Sequence, residues 1–284
     1  MIYLSYFSFP DREREYKFLM DEKRTCYDSF YPFKVLSENS LIELEFEPIT
    51  ILYGGNGSGK TTALNVIGEM LQLNRDTLYN RSNFFENYID MCDYRIVNEI
   101  PEESRVITSD DVFDFILNIR SLNLGIDARR DELFKDYLES KYSDFKFKTL
   151  EDYDQLKKVN LSRRTTQSKY VRKNVMDNVR EHSNGENAFR YFVEKIEKQG
   201  LYLLDEPENS LSPDRQKELL RYIEDSAYFF GSQFIIATHS PFLLSIKGAK
   251  IYDLDESPVK IKKWTELANV RQYYEFFKEH EDEF

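Results

Sequence analysis

Eight consecutive residues, Gly54-Gly55-Asn56-Gly57-Ser58-Gly59-Lys60-Thr61, satisfy the pattern G-x-x-x-x-G-K-[ST] at every position. Glycines at this density let successive backbone N–H groups converge on one anion. The closing lysine and hydroxyl suit a polyphosphate: Lys60 is expected to reach the β- and γ-phosphates and Thr61 to ligate Mg2+, with Thr62 completing the run of nucleotide contacts. A second acidic-ended run follows far downstream, where Leu201-Tyr202-Leu203-Leu204 finishes in Asp205-Glu206-Pro207. Asp205 is placed to hold Mg2+ through its hydration shell, and Glu206 to orient or deprotonate an attacking water. A third apolar run, Phe234-Ile235-Ile236-Ala237, ends in Thr238-His239-Ser240, where His239 can hydrogen-bond a γ-phosphate and register its loss.

Such groups need rigid elements to bring them together. Ile49-Thr50-Ile51-Leu52-Tyr53 is a short apolar run that stops at the glycine loop, and Ala63–Leu73 behind the loop has helical composition. The helix N-terminus then points its positive end at the bound anion. Ile42, Leu44 and Phe46 alternate with Glu43, Glu45 and Glu47, the period of a half-buried strand. Helix-like residues 213–228 separate the runs at 201–204 and 234–237, as a parallel crossover requires. Residues 1–9 read as an opening strand, 11–24 as a solvated charged connection, 251–254 as a further strand, and 271–284 as an aromatic, acidic helix or frayed end. From about Asn74 to Arg180 the chain turns charged and helix-like, notably over 111–120 and 127–142, without sustained heptads. A long coiled-coil arm is therefore not expected.

Composition bounds the class. The chain of 284 residues carries 32% charged and 15% aromatic side chains, a mean hydropathy of -0.61 and a net charge of -12. Material for a large core is ample, and no apolar stretch approaches the roughly 20 residues that span a bilayer, so no membrane insertion is expected. The start, Met1-Ile2-Tyr3-Leu4-Ser5-Tyr6, lacks the pattern of a secretory signal. Two cysteines, Cys26 and Cys92, make no disulfide framework or metal spacing, which points to a reducing cytoplasm. The acidic balance disfavours nucleic acid except at a local basic patch.

The order of motifs, with Leu203-Leu204-Asp205-Glu206-Pro207-Glu208-Asn209-Ser210-Leu211-Ser212-Pro213 and Ile236-Ala237-Thr238-His239-Ser240-Pro241, resembles the ABC ATPase superfamily. The similarity is to its small stand-alone branch labelled as AAA-family ATPases, distantly similar to RecF and SMC proteins. It covers about 41–70 and 180–255. The resemblance implies an α/β P-loop NTPase fold with a mainly parallel sheet, N-terminal antiparallel strands and a helical insertion at about 74–180 within one domain of residues 1–284. It implies an ATPase using ATP and Mg2+, with Glu206, His239 and Lys60 as catalytic residues and a head-to-tail homodimer as the working unit. It also implies a signature motif before the Asp-Glu strand. His182-Ser183-Asn184-Gly185-Glu186-Asn187 fits, opening a helix-like stretch Ala188–Lys198, although Asn184 and Glu186 replace the usual Gly and Gln. Ser183, Asn184, Gly185 and Glu186 are thus nucleotide contacts across the dimer, and Ser210-Leu211-Ser212 the turn that crosses its interface. Arg105-Val106-Ile107-Thr108 is a candidate strand before the family's glutamine loop, with Asp110 in the glutamine's place or Ser109-Asp110-Asp111 simply capping a helix.

Two features leave the function open. Lys157, Lys158, Arg163, Arg164, Lys169, Arg172, Lys173 and Arg180 form a basic segment, read either as a solvated face or as a patch for nucleic acid. A protein effector or nucleic acid is accordingly the alternative partner, in a DNA-transaction or genome-defence role. The divergent signature disfavours a transport motor, and the Thr-His-Ser element together with the lack of Asn-Lys-x-Asp disfavours a kinase or GTPase. Tyr27, Phe30, Tyr31 and Phe33 offer a ring for adenine or, as the plainer reading, pack against the sheet edge.

Overall fold

Runs of β-branched and aromatic residues with no polar interruption belong on strands buried on both faces. The computed structural model, which describes residues 1–24, 26–146, 152–179, 183–196 and 199–284, places them there. Six strands form the main sheet: β3 (Ile49–Tyr53), β5 (Arg105–Thr108), β6 (Leu201–Asp205), β7 (Gln233–Ala237), β8 (Lys250–Asp253) and β9 (Lys260–Ile261). Their order is β5-β6-β7-β3-β8-β9, parallel except for the last pair. Every residue of β3, β6 and β7 is buried. A second sheet is antiparallel, with β1 (Leu4–Ser8) between β2 (Glu43–Glu45) and β4 (Asp93–Ile96). The fully buried Gln233 ties the first strand to the main sheet: its Oε1 accepts from the N–H groups of Tyr3 and Leu4 at 2.8 and 2.9 Å, and its Nε2 donates to the carbonyls of Leu4 and Glu47.

The chain forms two compact units, one of Met1–Phe113 with Asn184–Phe284, the other of Asp114–Ser183. In the first unit, α3 (Lys60–Met70) packs Ala63, Leu64, Val66 and Ile67 into one core with Phe7, Leu44, Leu52, Phe84, Phe85, Leu203 and Ile235. Helices α8 (Asn184–Lys195), α9 (Pro213–Tyr228), α10 (Pro241–Leu244) and α11 (Ala268–Glu279) complete its carboxyl half. Residues 74–113, expected within the helical insertion, instead supply α4 (Phe85–Ile89), β4 and β5 to this unit. The second unit takes most of α5 (Ser109–Tyr142), with α6 (Tyr153–Arg164) and α7 (Gln167–Asn174). Its small core joins Leu133, Tyr137, Tyr170 and Val171. Among the described residues, no helix is long and apolar enough to cross a membrane.

One expectation for the amino-terminal region is corrected. Residues 11–24, read as a solvated connection because charge dominates, contain α1 (Arg12–Asp21). Asp11 caps it by accepting from the Arg14 N–H at 2.8 Å. Glu15, Phe18 and Leu19 fall on one helical face, and Glu15 is 2% exposed, accepting from the Lys34 N–H and the Ser37 hydroxyl. A further helix, α2 (Val35–Glu38), follows it. The charged majority hid an amphipathic helix with its one buried carboxylate on the inner face.

Candidate functional site

Register decides which residues meet. In the parallel ladder Thr108 pairs with Asp205, Asp205 with Ala237, and Ala237 with Leu52. The chain therefore leaves β5, β6, β7 and β3 along one carboxyl edge, the place where open α/β sheets bind ligands. Hydrogen bonds extend the ladder past the strands: Glu206 N–H donates to the Ala237 carbonyl at 2.9 Å, and Thr238 N–H to the Leu52 carbonyl at 3.2 Å. Glycine loop, acidic pair and histidine are neighbours for this reason.

The glycine loop is held from two sides. Gly55 N–H donates to both carboxylate oxygens of Asp255, at 2.9 and 3.0 Å, and Asn39 Nδ2 donates to the Ser58 carbonyl at 2.9 Å. Gly59 has φ of 92°, and a Cβ there would lie 2.8 Å from the Leu36 side chain, so only glycine fits. Lys60 is 4% exposed and donates through Nζ to the carbonyls of Gly54 and Gly55 at 2.6 and 3.0 Å. Ser58 Oγ is buried without a protein partner. A cavity of about 500 Å³ opens over Asn56–Thr62, closed at its sides by Tyr31, Val35 and Glu206. Its donors and volume suit the phosphates of a nucleotide.

Asp205, 8% exposed, accepts from the Thr61 hydroxyl at 3.1 Å. Burial raises its carboxyl from 3.8 to about 6, with Thr61 opposing the shift and Glu206 adding to it. Since the folded value lies above the unfolded one, the stability tied to this proton is complete below about pH 4. It is lost as pH rises through about 6. In the nucleotide-free protein Asp205→Asn is therefore expected to stabilise by about 1–3 kcal/mol at pH 7.5, with the gain fading toward pH 4. Denaturant midpoints at the two pH values check this; an equal or opposite shift at pH 7.5 would contradict it.

Glu206 has φ of 48°, rare for a residue with a side chain and a strain typical of functional positions. Its side chain points to the same cavity and accepts from Asn209 Nδ2 at 3.0 Å. His239 Nδ1 stands 4.0 Å from Glu206 Oε1 and 3.3 Å from Glu208 Oε1. Glu208 is 7% exposed, and its Oε1 also accepts from the Thr238 hydroxyl at 2.7 Å and the His239 N–H at 3.0 Å. Asn269, at the start of α11, donates to the His239 carbonyl at 2.7 Å. Glu208, Asn209, Asn269 and Asp255 thus position the expected residues, and sequence alone assigns a role to none of them. Glu208 and Asn209 are close enough in the chain to suspect; Asn269 and Asp255 carry no local signal.

The other expectations distribute unevenly. Ser183 and Asn184 are exposed at the start of α8, and Gly185 and Glu186 half-buried. A Cβ on Gly185 would come within 3.3 Å of the Ser210 carbonyl, so the helix start lies against the 210–212 turn. His182 and Arg180 lie outside the described residues, as do Glu197 and Lys198. Asp110 is exposed, whereas Asp111 is buried and accepts from the N–H and hydroxyl of Thr108 at 2.6 and 3.0 Å, the helix-capping alternative. Phe33 is buried edge-on to Tyr88 and the half-buried Phe30 stacks on Phe84, whereas Tyr27 is exposed. Tyr31 alone reaches the cavity, donating to Thr62 Oγ1 at 3.1 Å.

The loop after α3 ties this edge to α8. Arg75 Nη2 donates to Asn65 Oδ1 at 2.9 Å, and its guanidinium lies 4.1 Å over Tyr79. Burial holds the Arg75 pKa below its ordinary value. Next to it, Asp76 Oδ2 accepts from Tyr191 OH at 3.0 Å and Lys195 Nζ at 2.6 Å, both on α8.

A P-loop at the end of a central parallel strand, with a histidine following the adjacent strand and an acidic pair ending the next one, defines a P-loop NTPase. The profile of the family described as "AAA domain, putative AbiEii toxin, Type IV TA system" matches residues 74–245, more than half of the chain. The chain belongs to that family and is an ATPase. The matched segment runs from the loop after α3 past the Thr-His-Ser element, with the glycine loop upstream of it. No curated protein matches the chain. Among solved structures, it is similar to a dimeric post-hydrolysis ATP-binding cassette bound to ADP and Pi, at 13% identity over 78% of this chain and 88% of that one, with a TM-score of 0.35. It is also similar to an SMC head domain bound to the C-terminal domain of ScpA, from Pyrococcus furiosus, at 12% identity over 84% and 95%, with a TM-score of 0.39.

Proposed function

We propose that the chain hydrolyses ATP with Mg2+ as a head-to-tail homodimer, each site formed by the glycine loop of one copy and the start of α8 of the other. The observation that carries this reading is the lining of the phosphate cavity. It comes wholly from residues 31–62 and Glu206, while Ser183 and Asn184, whose helix start suits an anion, are exposed. The two half-sites complement each other between copies.

On this reading Lys60 exchanges its bonds to the Gly54 and Gly55 carbonyls for phosphate oxygens, joined by N–H groups of Asn56–Thr62. Thr61 and Asp205 hold the Mg2+, which supplies charge neutralisation at the phosphates. No cluster of three His, Cys, Asp or Glu able to hold a metal occurs among the described residues. Two protein ligands with phosphate and water oxygens are the usual set for this ion. Glu206 orients and deprotonates the attacking water, and His239 meets the γ-phosphate. Ser183, Asn184, Gly185 and Glu186 of the second copy cap that phosphate. Loss of the γ-phosphate then passes through Asn65, Arg75 and Asp76 to α8, which makes the dimer a switch.

A mixing experiment tests the geometry. Lys60→Ala should abolish nucleotide binding, and Gly185→Glu should block the cap; each chain alone should be inactive. Mixed in equal amounts they form some dimers with one intact composite site, so activity should return to about a quarter of the wild-type rate. No recovery in the mixture, with both variants folded, would rule out a shared site.

A second reading rests on the basic side chains of α6 and α7. Arg163, Arg164, Lys169, Arg172 and Lys173 are all exposed. They support a nucleic-acid contact that would make the switch a DNA-transaction or defence ATPase, in keeping with the family description's mention of a toxin–antitoxin system. ATPase stimulation by DNA that falls steeply with salt is the expected sign.

A further inference from the structure

Helix α11 has no core of its own. Of its twelve residues only Val270 is buried, and everything from Arg271 to Glu279 is exposed. Four of these are aromatic: Tyr273 is 50% exposed, Tyr274 58%, Phe276 54% and Phe277 54%. An isolated helix of this length is marginal in water, and surface helices normally bury their apolar stripe. At 100° per residue Tyr273, Phe276 and Phe277 share one face with Asn269, and these residues with Gln272 line a cavity of about 450 Å³. Glu279 flanks that face and the acidic residues Glu281, Asp282 and Glu283 follow the helix, whereas Arg271 and Lys278 fall behind the face, Arg271 lying over Tyr274. The aromatic face is thus edged by acid, so pairing with the same helix of another copy would bring like charges together.

A surface of the opposite character exists in the same chain. The unit Asp114–Ser183 carries 15 Lys and Arg against 12 Asp and Glu, in a chain whose net charge is -12. On it, Leu122, Ile126, Val175 and Met176 line an open cavity of about 620 Å³ with Arg129, which is bonded to Glu132 at 2.6 Å, and the exposed Arg172 and Lys173 immediately precede its edge at Asn174. Apolar lining with a basic rim matches an aromatic face with an acidic rim. We propose that α11 of one copy docks into this groove on the helical unit of a second copy, so that the ATP-dependent dimer is clasped outside its nucleotide sites. The proposal rests on the homodimer reading above. The clasp is wired to the site, because Asn269, the second residue of α11, bonds the His239 carbonyl and its N–H donates to Tyr53 OH at 3.3 Å.

Two full-length chains test this, both carrying Glu206→Gln and Cys26→Ser, one with Phe276→Cys and a mass tag, the other with Leu122→Cys. Cys92 is buried and stays silent. With Mg-ATP, a short bis-maleimide should join the two chains into one mixed product as the dominant species. Cross-links that join only like chains, or none at all, overturn the docking. Sedimentation of Phe276→Asp in the Glu206→Gln background should show self-association at least tenfold weaker, with nucleotide binding to the monomer unchanged. Pairing Glu279→Arg with Arg129→Glu should restore what each charge reversal alone weakens. If Phe276→Asp dimerises with ATP as tightly as its parent, the clasp is wrong while the ATP sandwich stands. If the mixed product forms equally without nucleotide, the clasp stands and ATP-driven dimerisation fails.

Discussion

Glu206→Gln is expected to lower the rate of ATP hydrolysis by about 10²–10³-fold while leaving ATP binding intact, and to trap the chain as an ATP-bound dimer. The substitution keeps the size of the side chain and its bond from Asn209 Nδ2, since an amide oxygen accepts as a carboxylate oxygen does. It removes the only function an amide cannot replace, taking a proton from water. The loss corresponds to about 3–4 kcal/mol of transition-state stabilisation. The positive φ of Glu206 coincides with a carboxylate that lines the phosphate cavity, which is where such strain serves a function. Phosphate release in single turnover, with light scattering to follow mass with and without Mg-ATP, reads both effects. Hydrolysis at the wild-type rate would remove Glu206 from the proposed mechanism, and failure to gain mass would remove the dimer.

The legible part of this site is the part encoded by contiguous residues. The glycine loop shows itself because backbone curvature and phosphate chemistry both demand particular residues at fixed spacing. The acidic pair and the histidine show themselves because each ends a buried run, and buried runs of four or five residues between turn signals have few alternatives to parallel strands. Helix α9 emerges at Pro213–Tyr228 because Ser212 caps it and Pro213 opens it. Long-range partners were not legible. Asp255 meets Gly55 across 200 residues, and Asn269 meets His239 across 30, through loops whose course no local pattern dictates. Helix α1 was hidden for a different reason: charge on ten of fourteen residues at 11–24 masked the i, i+3, i+4 face of Glu15, Phe18 and Leu19. After β5 the buried carboxylate is Asp111, bonded to Thr108, while Asp110, the residue considered for the glutamine's place, is exposed.

Glu208 separates two roles that a missing partner could confuse. Its Oε1 gathers the Thr238 hydroxyl, the His239 N–H and, at 3.3 Å, the His239 ring, while Oε2 is buried without a partner. Glu208→Ala removes the acceptor and leaves a buried hydroxyl and N–H unpaired, each costing about 1–3 kcal/mol. The turn that carries His239 should then lose its set, with kcat down about 100-fold and a lower midpoint of unfolding. Glu208→Gln keeps an acceptor at Oε1 and can seat its amide nitrogen where Oε2 stands idle. If Glu208 acts by fixing the backbone of the 238–240 turn, Gln should retain kcat within about tenfold of wild type and recover most of the stability. If instead its charge acts on the imidazole, Gln should fail as badly as Ala in kcat while remaining as stable as wild type. The geometry favours the first outcome, because two of the three close contacts to Oε1 come from Thr238 and the peptide of His239 rather than from its ring. Comparing kcat and unfolding midpoints across the three proteins decides between them, and loss of kcat in Gln without loss of stability would overturn the positioning role.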